Sequence, residues 1–298
     1  MRQSTPQSAD RPSVLMVVHA HPDDESSQTG GTLARYAAAG CRTVLVTCTD
    51  GAQGDAATDG AKPGQDGHDP RRVAEHRAVE LESAARALGV RDLVTLGYPD
   101  SGVSDDGDPA VDSFSARELT PMVARMVELM RRFTPDVVVT YPPNGLSGHP
   151  DHVRTHDLVV AAHRELLDEG RAPRLYYIAM SVSRLREVQA HVRATFGDEA
   201  WVPPEELGID DAEITTVIDV APFWADKVAA LAAHASQPDA ALLLRLFTMA
   251  DDSTVPGAKQ EEYVRAYPPM DTPAGSLERD FFEPQRLPRS SGTSTACS

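Results

Sequence analysis

Cysteine is scarce in this sequence: three residues in 298, at positions 41, 48 and 297. No two stand as Cys-x-x-Cys, so neither a disulfide framework nor a thiolate zinc site is expected. Cys41 and Cys48 lie in or beside an apolar run, where a reduced, buried thiol is the usual outcome. Long hydrophobic runs are missing too. None approaches the ~20 apolar residues that span a bilayer, and the polar residues 1–12 hold no apolar segment of a secretion signal. A cytoplasmic location follows as the default expectation. Positive charge is also short, with 28 Lys and Arg against 45 Asp and Glu and a formal net charge of −17. That balance argues against nucleic acid or an anionic membrane as a partner. No Gly-x-Gly-x-x-Gly follows the first apolar run, so a dinucleotide site is not expected. Gly145 to His149 (GLSGH) lacks the last glycine of a nucleophile elbow, which speaks against a serine hydrolase.

What is present is ordinary in bulk. Hydrophobic residues make up 41% and charged residues 24%, enough for a sizeable core. Short apolar runs at 14–18, 43–49, 92–97, 136–141 and 174–180 read as strands. Between them, 32–39, 70–88, 120–132, 152–168 and 183–196 read as helices. Asp69-Pro70 is a strong helix start, and Gly40, Gly89 and Gly170 fit helix ends. Alternation of strand and helix predicts an α/β protein: a Rossmann-like, mostly parallel sheet with helices on both faces. Beyond residue 180, a strand-like run at 213–220 and helices at 222–235 and 240–249 predict a C-terminal helical and strand extension. The expected organisation is a disordered lead-in over 1–12, one domain over 13–285 and a disordered tail over 286–298. The long loop 50–69 is expected to be functional or mobile.

The chemistry concentrates in two places. The stretch Val14 to Glu25 (VLMVVHAHPDDE) is an apolar strand that ends in two histidines, a proline and three acids. The second, His149 to His152 (HPDH), follows another strand-like run. His21 and Asp24 stand three apart, which brings them to one side of a tight turn or first helical turn. Adding His152 gives a His/Asp/His set, and three protein ligands with one open position is the pattern of a catalytic zinc. Such an ion lowers the pKa of water from about 15.7 to about 7. Asp23, next to a ligand but pointing elsewhere, suits a general base. His149 suits either proton donation to a leaving amine or stabilisation of charge on a carbonyl oxygen. Asp151 suits the orientation of a ligand histidine. His76 reads as a solvated surface residue, and His156 and His163 as surface or satisfied core histidines. His234 either lines the site or caps its helix. Arg77 has a bland alternative as a helical partner of Glu80. The acidic tract 105–108 reads as a solvated turn.

Taken together, AHPDDE at 20–25 and HPDH at 149–152 resemble the LmbE-like (PIG-L) family of zinc-dependent N-deacetylases. The likeness covers roughly residues 13 to 240 and takes in TLARYA at 32–37, RAVEL at 77–81, Asp100 to Gly102 (DSG) and AHASQ at 233–237. Within the family it is most similar to the actinobacterial mycothiol enzymes, a deacetylase of N-acetylglucosaminyl-inositol and an amidase of mycothiol S-conjugates. The resemblance implies one zinc ion per chain on His21, Asp24 and His152, Asp23 as base and His149 as acid or oxyanion partner. It also implies polar contacts from Arg77 and Asp100 to a small acetamido-sugar substrate, with Ser147 and His234 as further candidates. Three positions depart from the mycothiol enzymes. Ser147 replaces a tyrosine, Gly51 to Gly54 reads GAQG, and Gln28 stands where the amidases have lysine. The expected function is therefore removal of an N-acyl group from an amino-sugar or its glycoside. Amidase action on mycothiol conjugates and a non-catalytic metal-binding role stay open, as does association of identical chains.

Overall fold

The apolar run that opens the chain forms a strand, β1 (Val14–His19), buried along its whole length. A strand with both faces apolar needs a covered sheet on each side. In the computed structural model Val14, Met16 and Val18 point to one core and Leu15 and Val17 to the other. The structure describes residues 11–56, 60–103, 112–197, 202–251, 259–270 and 277–282. The expected tail, most of the lead-in and the acidic tract at 105–108 lie outside them.

The elements follow in order. After β1 come α1 (Asp24–Gln28), α2 (Gly30–Ala38), β2 (Arg42–Thr49), α3 (Pro70–Ala87), β3 (Asp92–Tyr98), α4 (Leu119–Phe133), β4 (Val137–Thr140) and α5 (Pro150–Asp168). Then come β5 (Arg174–Ala179), α6 (Val182–Phe196), β6 (Thr216–Asp219), α7 (Trp224–Ala233), α8 (Pro238–Asp251) and β7 (Gln260–Tyr267). The seven strands form one sheet in the order β3-β2-β1-β4-β5-β7-β6. The first five are parallel, while β7 runs antiparallel to both β5 and β6. The α/β class and mostly parallel sheet read from the sequence are thus observed. Helices α4 and α5 cover one face through Met122, Met126, Leu158 and Val159. The other is covered by α2, α3 and α7 through Leu33, Leu88, Trp224 and Ala230.

Strand β1 pairs with β2 on one side and β4 on the other. The chain leaves β1 toward one edge and later returns to fill the other side. In open α/β sheets the crevice at such a reversal, outside the carboxyl ends of the strands, is where ligands bind. Both histidine-rich segments leave from these two strand ends.

Two elements differ from the sequence expectation. Of the tight turn or first helical turn expected after His21 the helical form is found, as α1, and α2 starts two residues early, through Gly30 and Gly31. Glycine is required there because a Cβ on Gly31 would lie 2.4 Å from the Val220 side chain. Strand β7 was not expected at all. Its inward positions are Glu261, Tyr263 and Arg265, so it lacks the apolar alternation that marks a strand. The buried Glu261 is matched instead, by Lys227 at 2.5 Å and by the amides of Gly31 (3.0 Å) and Thr32 (2.8 Å) in the first turn of α2.

Filling that contact tests how tightly α2 meets the sheet. Gly31→Ala should lower unfolding free energy by about 1–3 kcal/mol, the usual cost of overpacking. Urea unfolding would show it as a lower midpoint with an unchanged slope; an unchanged midpoint would mean that α2 is free to shift.

Candidate metal centre and cleft

Where β1 ends, the chain turns through His21, Pro22 and Asp23 into α1. Asp23 sits at φ 103°, a left-handed conformation that costs a non-glycine residue of order 1–3 kcal/mol. The turn brings Asp24 under His21, so that the His21 amide donates to Asp24 Oδ2 at 2.8 Å. Beyond β4 the chain passes through Pro142–Gly148 into α5, with His149 as N-cap and Pro150 in the first turn. His152 therefore lies one turn into α5, on its buried side.

The two segments meet. His21 Nδ1 lies 3.3 Å from Asp24 Oδ2, and His152 Nε2 lies 3.4 Å from the same oxygen. The outward nitrogens are engaged elsewhere. His152 Nδ1 donates to the Gly145 carbonyl at 3.0 Å, and His21 Nε2 lies 3.2 Å from Asp151 Oδ2. A carbonyl or carboxylate oxygen only accepts, so each outward nitrogen carries the hydrogen. In a neutral ring the inward nitrogen is then a bare lone pair. Two such lone pairs facing one carboxylate oxygen repel unless a cation or a proton lies among them, and imidazoles with the second nitrogen so committed are the usual metal ligands. The donor set therefore fits a divalent first-row metal. Gln28 Nε2 donates to the other oxygen, Asp24 Oδ1, at 3.0 Å, which leaves Oδ2 for the cluster.

Other groups stand within reach. Side-chain nitrogens of His21, His149 and His152 lie within 4.8 Å of one another, as do ligand atoms of His21, Asp100 and Asp151. Asp151 is fully buried and held by Ser101 through its amide (2.9 Å) and its hydroxyl, which suits it to orienting His21. The His21 pKa, although burial draws it down, stands well above the ordinary value because Asp100, Asp151 and Asp24 surround the ring. Burial pushes the Asp23 carboxyl up to about 6, against the opposing pull of Arg77. Burial, helped by His21 and His152, lowers His149 to about 4. His149 Nδ1 accepts from the Asp151 amide at 3.2 Å, so the hydrogen of its neutral ring sits on Nε2.

A cleft of about 990 Å³ opens over this floor. His21, Asp23, Arg77, Asp100 and His149 line it, together with Lys62, Gln237 and Asp239. Asp100 Oδ1 lies 3.5 Å from His21 Nε2 and also accepts from the Gly102 amide.

The remaining candidates lie elsewhere or act differently. Arg77 is buried and touches Asp23 Oδ2 (2.9 Å), the Pro22 carbonyl (2.6 Å) and the Gly51 carbonyl (2.8 Å). It edges the cleft, but its guanidinium is largely spent on the two loops, and Glu80 bonds to Ser236 instead of to it. Ser147 is not in the cleft wall; its hydroxyl lies 3.3 Å from His152 Nδ1. His234, expected either to line the site or to cap its helix, does the second. It is fully buried as the C-cap of α7, with Nε2 2.8 Å from Glu25 Oε1 and its pKa raised by Glu25 in spite of burial. His19 points into the core between Tyr141 and Thr29, and burial takes it down to about 4. His156 and His163 are satisfied by the carbonyls of Tyr141 and Pro173. Cys48 is buried, its thiol pushed up to about 12. Sequence reading missed Ser101 and Glu25; nothing in a lone serine, or in a third acid after two others, marks a partner of Asp151 or of His234.

Comparison with known proteins agrees with this geometry. The sequence profile described as PIG-L, GlcNAc-PI de-N-acetylase, matches residues 16–163. A 1D-myo-inositol 2-acetamido-2-deoxy-alpha-D-glucopyranoside deacetylase of Kineococcus radiotolerans is 38% identical over 258 residues, spanning 76% of this chain and 70% of that protein. The enzyme of the same description from Rhodococcus erythropolis is 35% identical over 288 residues, spanning 90% of this chain and 96% of its own. Among solved structures, GalB, the 4-carboxy-2-hydroxymuconate hydratase from Pseudomonas putida KT2440, shares the fold with a TM-score of 0.59 at 19% identity, covering 88% of this chain and 99% of that one.

Two measurements test the ligand set. His152→Ala should lose stoichiometric zinc while His149→Ala keeps it; loss in both would place His149 among the ligands. Zinc binding near pH 7 should release protons, because the raised His21 must give one up, so affinity should fall as pH falls. Calorimetry in two buffers of different ionisation enthalpy would read the release, and equal heats in both would refute it.

Proposed function

The chain belongs to the PIG-L family of GlcNAc-PI de-N-acetylases, and from that membership we propose that it is a zinc-dependent hydrolase that removes an N-acetyl group from an acetamido-sugar glycoside. The reading rests most on one observation. Asp23 faces the cleft directly beside Asp24, the carboxylate on which two imidazoles converge.

Zinc held by His21, Asp24 and His152 would supply Lewis acidity to the amide carbonyl and lower the pKa of water at its open position. Asp23 takes the proton of the attacking water. With its carboxyl raised to about 6, it is ionised at neutral pH yet basic enough to accept that proton, the balance a general base requires. It then returns the proton to the amine nitrogen as the C–N bond breaks. His149 presents Nε2–H where charge develops on the carbonyl oxygen. With a pKa near 4 its ring stays neutral, so it serves as a hydrogen-bond donor and not as the proton source. Asp100, in the cleft wall, suits a hydroxyl of the sugar, and Arg77, which edges the same cleft, braces Asp23.

The polyol glycosides named for the relatives are the substrate class we assign. The amidase alternative has less support. Gln28, where those enzymes have lysine, is committed to Asp24 and is absent from the cleft wall. A purely metal-binding role leaves Asp23, strained and half-desolvated beside the site, without a purpose. Among the described residues no helix is long and apolar enough to cross a membrane.

The direct test is metal analysis followed by acetate release from N-acetylglucosaminyl glycosides, compared with thiol release from mycothiol conjugates. Asp23→Asn should cut kcat by about 10²–10⁴-fold, the usual worth of a general base, while zinc content is retained. Unchanged turnover would remove Asp23 from this role. For the wild type, kcat/KM should decline as pH drops below about 6, because protonated Asp23 cannot accept. A profile flat down to pH 5 would contradict the assignment.

A further inference from the structure

We propose that the buried His234–Glu25 pair is a positioning device for Asp23, holding the backbone amide of that residue so that its carboxylate meets the cleft at a fixed angle. The inference rests on the reading of Asp23 as the base and deepens it.

Glu25 is fully buried and its two oxygens divide the work. Oε2 accepts the Asp23 amide at 3.0 Å, while Oε1 accepts from His234 Nε2 at 2.8 Å and from the Ser26 hydroxyl at 2.5 Å. The first bond resembles the reach-back of a capping box, in which an acid inside a helix secures the amide at its start. Here the secured residue is the one with left-handed backbone. Such a conformation persists only where the surroundings over-determine it. Arg77 holds the carboxylate end of Asp23; Glu25 holds the amide end. Remove the second hold and the peptide is free to relax toward the right-handed region, carrying the carboxylate with it.

The frame behind this hold is continuous. His234 is the C-cap of α7, with its amide on the Leu231 carbonyl at 3.1 Å. Two residues on, Ser236 bonds Glu80 of α3 through its amide and its hydroxyl, both at 2.8 Å. Arg77 stands one turn earlier on the same helix. The Arg77 hold is therefore mounted on α3, and the Glu25 hold, in α1, is backed by the end of α7, which packs against α3. A buried ion pair is a weak source of stability, since desolvation offsets most of its attraction. Fixing the geometry of one functional residue is the role that remains for it.

The test compares Glu25→Ala, Glu25→Gln, His234→Leu and His234→Gln with Gly31→Ala as a destabilised control remote from the cleft. Glu25→Ala should lower kcat by about 10–100-fold, the scale of an ångström-sized misplacement, with KM within twofold and zinc still stoichiometric. Glu25→Gln keeps an acceptor for the Asp23 amide and should recover most of the rate. Should Glu25→Ala fail to fold, the His234 pair decides: His234→Leu slows turnover and His234→Gln, which can still donate to Glu25, restores it. The Asp23 amide proton of the zinc-free protein should resonate downfield and move upfield in Glu25→Ala and His234→Leu. The proposal is overturned if these variants keep kcat within twofold, lose no more than Gly31→Ala at equal loss of stability, or leave that resonance in place. A wild-type protein that releases no acetate from any acetamido-sugar would defeat the deacetylase reading instead, while the amide resonance would still report on the hold.

Discussion

Two imidazole nitrogens and one carboxylate oxygen are brought to within 3.4 Å of each other's common centre at Asp24 Oδ2, and everything around them is arranged to make that arrangement tolerable. Left alone, electron-rich atoms this close in a buried setting are unfavourable. The protein supplies most of the compensation on the outer side: Gly145 and Asp151 fix the ring hydrogens, Ser101 fixes Asp151, and Gln28 takes the spare oxygen of Asp24. On the inner side the His21 amide donates to Asp24 Oδ2 at 2.8 Å, which compensates the oxygen but not the two ring nitrogens that face it. A donor set with that asymmetry fits a metal ion, which would complete the inner side. It also explains the position in the fold, since only the β1/β4 reversal brings together two strand ends separated by more than a hundred residues of chain.

Asp23 shows how a neighbouring position is given a different duty. Asp23 and Asp24 are adjacent, equally acidic in sequence and both desolvated, yet their pKa values move apart. Burial raises Asp23 to about 6, with Arg77 and then His234 opposing it and Asp24 adding to the rise. Asp24 is also penalised by burial, but His152 and His21 hold it well below the usual range. Divergence of two titratable neighbours is the usual mark of an acid–base assignment. The left-handed backbone of Asp23 is what separates them in space, turning one carboxylate under the histidines and the other toward the cleft.

Much of this was legible in the sequence, and the limits have physical causes. The central strands β1 and β4 announce themselves because both faces are buried and their residues run apolar, while β2, β3 and β5 keep enough branched and apolar residues to read as strands. The metal motif is legible because its donors are crowded into two short segments after strands. Strand β7 was hidden, because its buried side carries Glu261 and Arg265, satisfied by partners far away in the chain. Arg77 looked like a free substrate contact, but burial and three oxygen partners from two loops make it chiefly a brace. His234 could not be placed from its own neighbourhood, because the Glu25 it serves lies 209 residues earlier. Local pattern reveals what a segment buries; it does not reveal which distant group will satisfy a charge.

The fold itself is a poor guide to the reaction. The same architecture, at a TM-score of 0.59, carries a hydratase, and a shared sheet says only where a site can form. Selection among chemistries has to come from side chains at the strand ends. Here the decisive elements are a neutral His149 whose Nδ1 is occupied by the Asp151 amide and a carboxylate at Asp23 that is ionised near neutrality. A hydratase needs a base and a proton donor acting on a carbon–carbon double bond; an amide hydrolase needs a base that can hand its proton on to nitrogen and a neutral donor for the carbonyl oxygen. Asp23, raised to about 6, suits the base of the second chemistry, and His149, lowered to about 4, suits its neutral donor.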